Sequence, residues 1–389
     1  MFFGIMYEEW KNCACGRNWI ISVLLKIFDS VIRSSDDRPS DRRSNAAPDG
    51  RVKMALTCWE KITIVVVAAV GLKLFVKLGG LAWKKLLAPN LGLGLDVASQ
   101  GRWAVVTGAT DGLGKAFAEA LAAKGLDILL VSRSLAKLEQ VSSEIKQRFG
   151  IETRILEADL TQGQPVYSKI ATCVEDLEVG VLVNNAGTSY DHPEVFTNLP
   201  EESIAKILQL NVAGVTGVAR AVLPGMMERR KGVVINISST AAAIPSPYLS
   251  VYSASKAYVD KLSADLAAEA APRGVTVQCL LPGPVATKMS KIKRATWMAP
   301  TPERFVEAAL KSVGIESRTT GYPPHSLIIG AVDGLKSVCE KAAIWLVART
   351  MLNIRGRALR KERRDETTRA NAAVVENLPR REKLTTSTE

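Results

Sequence analysis

The sequence predicts an α/β fold built on a doubly wound parallel sheet, and two observations carry that prediction. Short apolar runs, Trp103–Val106, Ile128–Val131, Ile155–Glu157, Val181–Asn184, Val233–Ile237 and Thr276–Leu280, alternate with stretches of helical period such as Lys115–Lys124 and Leu135–Phe149. Apolar runs this short read as strands covered on both faces, and strands that alternate with helices form a parallel sheet. The second observation is a glycine-rich turn, Thr107-Gly-Ala-Thr-Asp-Gly-Leu-Gly114, where the first strand meets the first helix. No internal repeat interrupts the pattern.

A candidate membrane segment precedes this region. Ile62 to Trp83 reads ITIVVVAAVGLKLFVKLGGLAW, long enough to span a bilayer. Lys73, Lys77 and Lys84 fall on roughly one helical face. The segment can therefore span with its lysines snorkelling, or lie in the interface with that face among the headgroups. Lys84 and Lys85 place the following domain in the cytosol if it spans. Residues 1–53 read as an extension. The stretch from Ile32 to Met54 is rich in Ser, Asp, Arg, Pro and Asn, as disordered linkers are. The apolar stretch Trp19 to Phe28 is short, contains Lys26 and follows Glu8 and Glu9, so it makes a poor signal peptide.

The formal net charge is +12 over 389 residues. Much of the excess sits in Arg355-Gly-Arg-Ala-Leu-Arg-Lys-Glu-Arg-Arg364, directly after an apolar stretch, Leu327 to Leu352. That placement suits an anionic membrane surface better than nucleic acid, which is not expected as a partner. A helix is expected from Pro302 to Val313, and disorder from Asp365 onward. The two histidines, His192 and His325, cannot make a zinc site alone, and Cys13-Ala-Cys15 has no metal-knuckle spacing. No metal is expected, and the scattered cysteines read as unpaired thiols.

The glycine loop carries the cofactor reading. Gly108 permits a tight turn, Gly112 lets the backbone approach a pyrophosphate, and Gly114 lets the helix pack close to the sheet. The helix N-terminus favours the anion. The second strand ends in Val131-Ser132-Arg133-Ser134. An acidic residue there would bind the 2′-hydroxyl of NAD. Arg133 stands in its place and can pair with a 2′-phosphate, so NADP(H) is expected. Asp159, ending the third strand, is placed to reach the adenine. Asn184-Asn185-Ala186-Gly187 ends the fourth, close to where the strand order should reverse.

The catalytic candidates are Tyr252 and Lys256, four residues apart and so on one helix face. Reduction of a ketone needs a proton for its oxygen. The Tyr252 phenol can supply it, and the Lys256 ammonium is expected to lower the phenol from its reference pKa of about 10. Ser239, thirteen residues before Tyr252, can bond the carbonyl oxygen and share its developing charge. Ser238 is the alternative hydroxyl; Ser255 and Lys261 read as bystanders.

Taken in order, TGATDGLG, NNAG, Asn211, Ser239, Tyr252-x3-Lys256 and Pro282-Gly283 resemble the motifs of the short-chain dehydrogenase/reductase family over about residues 100–300. The resemblance implies a single Rossmann-like domain and hydride transfer between a nicotinamide and a carbonyl or alcohol. It implies a catalytic set of Asn211, Ser239, Tyr252 and Lys256, with Asn211 supporting a water that links to the lysine. Ser239 and Tyr252 would touch the substrate. The cofactor set would be Gly108, Thr110, Asp111, Gly112, Leu113, Gly114, Arg133, Asp159, Asn185, Tyr252, Lys256, Pro282, Val285 and Thr287, with Thr287 on the nicotinamide carboxamide and Lys256 on its ribose.

The N-terminal apolar segment, the stretch SKAYVDKLSADLAAE and the region from Thr320-Gly-Tyr-Pro-Pro-His325 are similar to the membrane-bound group of the family that reduces very-long-chain 3-oxoacyl-CoA, and to the related 17β-hydroxysteroid dehydrogenases. Three readings stay open from sequence: a 3-oxoacyl-CoA reductase of fatty acid elongation, a steroid or retinoid dehydrogenase, and an inactive membrane-bound binding protein. The first implies an endoplasmic reticulum membrane protein with its catalytic domain in the cytosol, and admits a homodimer and other elongation enzymes as partners. The expected organisation is an extension (1–53), a membrane-anchoring segment and linker (54–99), an NADP-binding reductase domain (100–330), an amphipathic, membrane-facing region (331–364) and a disordered tail (365–389). Lys288, Lys291, Lys293 and Arg294 are candidates to receive CoA phosphates.

Overall fold

A computed structural model describes residues 58–376; the extension expected over residues 1–53 lies outside them. The chain divides into two compact units, residues 1–76 and 77–389. A single helix, α1 (Cys58–Ala82), holds the sequence expected to meet the membrane. Val66, Val67, Val70, Val76 and Phe75 are exposed, Val67 at 62% and Phe75 at 74%, and Lys73 is exposed too.

The second unit contains a seven-stranded sheet in which every pairing is parallel. Its strands are β1 (Trp103–Thr107), β2 (Asp127–Ser132), β3 (Thr153–Glu157), β4 (Val179–Asn184), β5 (Gly232–Ile237), β6 (Val275–Leu280) and β7 (Arg318–Thr319). The order is β3-β2-β1-β4-β5-β6-β7. The winding reverses between β1 and β4, which is where such a sheet opens a crevice at the carboxyl ends of its strands.

The alternation along the strands builds two cores. Ala104 and Val106 of β1 face one side with Phe117 and Leu121 of α2 (Gly112–Ala122), Leu138 and Ile145 of α3 (Leu135–Phe149), and Phe305 of the later helix Pro302–Lys311. Trp103 and Val105 face the other side with Ile170 of α4 (Gln164–Val174) and, beyond α5 (Glu201–Leu208), Val218 and Met226 of α6 (Val215–Arg229). Fully burying one such side chain is worth about 1.5–3 kcal/mol. Burial on both faces is why the strands read as unbroken apolar runs.

Two further helices complete the layers: α7 (Ser250–Ala270) covers the second face, where Ala270 is buried, and α8 (Pro302–Lys311) the first, where Phe305 is buried. Among the described residues the stretch Glu201–Arg229 is long and apolar enough to cross a membrane, but 44% of its apolar window is buried and it packs on the sheet as a core helix. At the C-terminus stand α9 (Pro323–Val338) and α10 (Glu340–Glu376). Ala343 and Val347 of α10 are buried, whereas Ile344, Trp345 and Leu346 are exposed. The helix runs on past Asp365, where the sequence reading starts a disordered tail; Arg, Glu and Ala in this stretch are strong helix formers.

Candidate active site

A cavity of about 500 Å³ opens at the reversal of strand order. Its wall takes Gly108, Thr110, Asp111, Gly112 and Leu113 from the glycine loop, Arg133 from the end of β2, Asn185 from the end of β4, and Pro282, Val285 and Thr287 from the loop after β6. Ser239, Tyr252 and Lys256 close one end. Three residues expected here stand behind the wall: Gly114, Asp159 and Asn211. The Asp159 carboxylate accepts from Thr161 N at 3.0 Å and from its hydroxyl at 2.8 Å, and caps a short 3-10 turn, while its neighbours Ala158 and Leu160 line the cavity. Burial would raise the Asp159 carboxyl, but those bonds and the nearby Arg133 charge hold it below its ordinary value.

The glycine loop is tied down by the side chains of Thr107, Asn185 and Lys288. Thr107 Oγ1 accepts from the backbone N–H groups of Asn185 and Ala186, both at 3.0 Å. The Asn185 amide donates to Thr107 O at 2.9 Å and Gly108 O at 3.3 Å. Asn185 therefore shapes the loop as well as lining the cavity. Gly108 adopts φ 64°, a left-handed conformation that favours glycine. Asp111 caps α2 by accepting from Gly112 N at 2.8 Å, and Lys288 reaches it across the groove at 2.6 Å. Burial would push the Asp111 carboxyl up; Lys288 and the Gly112 N–H outweigh it and hold the group below the usual range.

Asn211 is wholly buried in a π-helical turn, Gln209–Gly214, between α5 and α6. Its amide donates to Thr188 O at 2.9 Å and Ser255 Oγ at 3.0 Å, and its oxygen accepts from Thr188 N at 2.8 Å. Ser255 is thus no bystander: it holds Asn211 and donates in turn to Tyr252 O at 2.7 Å. Ser238, the alternative hydroxyl, is buried and donates to Lys256 O at 2.7 Å, which anchors α7 to the end of β5. Ser239 accepts from Ala241 N at 3.2 Å and hydrogen-bonds the Tyr252 phenol. A Cβ on Gly187 would lie 3.2 Å from both Asn211 Oδ1 and Lys256 Nζ, so this glycine keeps the two within reach of the cavity floor.

One electrostatic expectation is corrected. Burial raises the Tyr252 phenol above its ordinary value, and only the Ser239 bond lowers it; Lys256 does not. The reason is where the ammonium goes. Lys256 Nζ donates to Ile237 O at 2.9 Å, and burial pushes the group down to about 8. At neutral pH the pair is therefore a protonated phenol beside an ammonium that is still mostly charged. That is the state required of a proton donor.

Helix α10 is tied by charge to the loop that follows β4. Arg355 of α10 makes a bidentate pair with Glu194, at 2.8 and 2.9 Å from one guanidinium nitrogen and 3.1 Å from another, and His192 lies between Glu194 and Glu362, 3.8 Å from each. Pulling against its own burial, the guanidinium holds the Glu194 carboxyl below its ordinary value.

A phenol, a hydroxyl, a buried lysine and a glycine-cradled anion groove around one crevice define a nucleotide-dependent dehydrogenase of the short-chain kind. A model of the short chain dehydrogenase family matches residues 102–297, and the chain belongs to that family. A very-long-chain 3-oxoacyl-CoA reductase of Bos taurus is 49% identical over 239 residues, 61% of this chain and 76% of the relative. An inactive hydroxysteroid dehydrogenase-like protein 1 of Homo sapiens is 42% identical over 279 residues, 70% of this chain and 82% of the relative. Among solved structures, a short-chain dehydrogenase from Sphingobium yanoikuyae in complex with NADPH superposes with a TM-score of 0.52 at 29% identity, covering 60% of this chain and 95% of that one.

Proposed function

We propose that this chain is an NADPH-dependent reductase of the 3-keto group of long-chain 3-oxoacyl-CoA, acting in fatty acid elongation. The observation that carries the reductase reading is that Ser239, Tyr252 and Lys256 line the same cavity as the glycine loop. The substrate reading is supported by 49% identity to a reductase of that name. NADPH, when bound, supplies hydride to the carbonyl carbon. The residues do the rest. The Tyr252 O–H donates a proton to the carbonyl oxygen, Ser239 bonds that oxygen and eases the loss of the phenol's proton, and Lys256, held at Ile237 O, lines the cavity where the nicotinamide ribose would bind. Asn211 and Ser255 position the Tyr252 helix against the Thr188 wall. Intact chemistry at these four positions weighs against an inactive binding protein. Purified enzyme with NADPH, offered 3-oxoacyl-CoA, estrone and retinal side by side, tests the assignment. Preference for either neutral ketone would overturn the acyl-CoA reading.

The cofactor cradle fits NADPH. Gly108 to Leu113 would hold the pyrophosphate, and Arg133, exposed at the cavity rim, would pair with the 2′-phosphate. Arg133→Ala is expected to raise KM for NADPH about tenfold or more while leaving NADH nearly unchanged, because a charge-assisted phosphate bond is lost only with NADPH. Steady-state kinetics with both cofactors check it, and equal losses would remove Arg133 from the phosphate site.

Beside the cofactor groove lies a second cleft lined by Lys115, Lys288, Lys291 and Lys293, with Lys361 arriving from α10 and Asp111, Glu119 and Glu303 as the acids. This cleft supports the reading that the CoA phosphates rest near the loop after β6. Neutralising Lys288, Lys291, Lys293 and Arg294 together should raise KM for 3-oxoacyl-CoA several-fold and spare a neutral ketosteroid, and added salt should mimic the loss by screening. An equal change for both substrates counts against the phosphate role.

Membrane attachment belongs to the same proposal. Helix α1 of 25 residues is about 37 Å long, sufficient for a hydrocarbon core of about 30 Å. Its exposed apolar side chains, together with Trp345 and the arginines of α10, favour an endoplasmic reticulum membrane with the catalytic domain on the cytosolic side.

A further inference from the structure

The loop that follows β6 leaves the sheet at Leu281 and returns to it only through α8 and β7. Its middle, Thr287 to Ser290, lines the cofactor cavity. Such an excursion must be held at its base if the cavity wall is to keep its shape. The base is held by a backbone bond, Ala286 N donating to Pro300 O at 2.9 Å, and by a side chain, His325, which comes from α9, some forty residues further along the chain. His325 is completely buried. Its Nδ1 accepts from Gly283 N at 3.0 Å, and its Nε2 lies 3.1 Å from both Pro284 O and Met298 O. The imidazole thus joins the outgoing end of the loop to its returning end. A Cβ on Gly283 would sit 2.8 Å from the ring, so the glycine is what lets the ring come this close.

These partners leave no freedom in the proton count. A backbone N–H can only donate and a carbonyl can only accept, so Nδ1 is bare and Nε2 carries the hydrogen. A second proton on Nδ1 would point at the Gly283 N–H and break that bond. The surroundings oppose the charge as well. Tyr322 packs edge-on at 5.1 Å and Phe305 of α8 at 5.9 Å, and His325 lies in the first turn of α9, at the positive end of a helix. Tyr322 is the titratable side chain in ring contact, and the Arg304 guanidinium of α8 lies 5.9 Å from the Tyr322 ring. Among the described residues no carboxylate acts on the imidazole, and burial keeps it below its ordinary value.

We propose that His325 is a positioning residue for the cofactor: a neutral imidazole that staples the base of the loop after β6, so that the loop holds NADPH only while Nδ1 is unprotonated. The proposal rests on the reductase reading for its kinetic readout and is independent of it for its structural one. In the folded protein the proton is disfavoured, so the stability this site contributes is full above the ordinary histidine pKa and is lost as pH falls from there toward the lower folded value, while the loop loses its staple only as pH falls through that folded value.

Three proteins test it: the parent, His325→Asn, whose amide oxygen can still accept from Gly283 N, and His325→Leu, which can do neither job. His325→Leu is expected to raise KM for NADPH by about tenfold to a hundredfold, the cost of leaving a buried donor unpaired, with a smaller effect on kcat. His325→Asn should recover most of that loss. It should also lack part of the parent's acid-side rise in KM, which sets in below the ordinary histidine pKa of about 6.5. The 2′-phosphate of NADPH titrates in that range for both proteins, so the difference between them isolates the histidine. Amide hydrogen exchange over residues 282–298, measured without cofactor, should quicken in His325→Leu while β5 and β6 stay protected. Unchanged KM and unchanged exchange in His325→Leu would overturn the staple. An identical acid limb in the parent and His325→Asn would overturn the protonation link. Should His325→Leu fail to fold, the parent still decides. It has only two histidines, so labelled-imidazole NMR reads His325 directly, and titration at the ordinary pKa of about 6.5 would refute the proposal.

Discussion

Tyr252→Phe is expected to lower kcat for ketone reduction by about 10²–10⁴-fold and to leave the dissociation constant for NADPH within a few-fold of the parent. The ring that lines the cavity is kept, and only the hydroxyl bonded to Ser239 is removed. No neighbouring group replaces it as a proton donor. Ser238 is spent on Lys256 O, the Ser239 hydroxyl can hydrogen-bond the carbonyl oxygen but is too weak an acid to give up its proton, and Lys256 points at Ile237 O. Stopped-flow NADPH oxidation and a fluorescence titration measure the two quantities separately. Turnover within a few-fold of the parent would remove Tyr252 from the chemistry, whereas a large loss of NADPH affinity would recast it as a binding residue.

Gly114→Ala is expected to disable the enzyme by another route. A Cβ at this position would lie 2.1 Å from Gly108 O and 2.5 Å from the Asn185 amide nitrogen. Neither neighbour is the free end of a flexible chain: one is backbone, the other is hydrogen-bonded to Thr107 O. Either α2 moves away from the sheet or the glycine loop deforms. Overpacking of this kind costs about 1–3 kcal/mol, and where the distortion falls on the cradle it appears as an NADPH affinity lower by about tenfold to a hundredfold. A lower Tm should accompany it. Gly330→Ala is the control, since nothing lies within 4 Å of the added carbon there. If Gly114→Ala binds NADPH as the parent does, the close approach of helix and loop has no part in holding the cofactor.

The parallel sheet was legible because β1, β2, β4, β5 and β6 are covered on both faces and so print themselves as apolar runs. β7 was not: with two residues, Arg318 and Thr319, it carries no period, and its pairing with Cys279 and Leu280 is a tertiary fact. The cavity lining was legible through glycine spacing and the Tyr252–Lys256 turn. What escaped depends on contacts distant in sequence. Ser255 acquires its role from Asn211, 44 positions away, and His325 from a loop 42 positions away. The direction of the Tyr252 shift was misjudged because two residues on one helix face look like a couple, while burial and a competing carbonyl acceptor leave no mark in a linear pattern. In α10, the polar stretch from Asp365 reads as a disordered tail, but Arg, Glu and Ala have high helix propensity and the first half of the helix is anchored by Ala343, Val347 and Arg355.

The π turn at Gln209–Gly214 is what a helix becomes when it gains a single residue and keeps both flanks in place. The extra residue swells one turn rather than rotating everything downstream by about 100°. Residues 201–208 can thus keep their packing while residues 215–229 keep theirs, and Asn211 sits in the slack between them. A deletion of one residue here would restore regular winding and swing either Asn211 or the whole α6 core face out of line. The length of this segment is consequently under tighter constraint than its composition, and an exchange of whole helices between relatives would have to carry the bulge along intact.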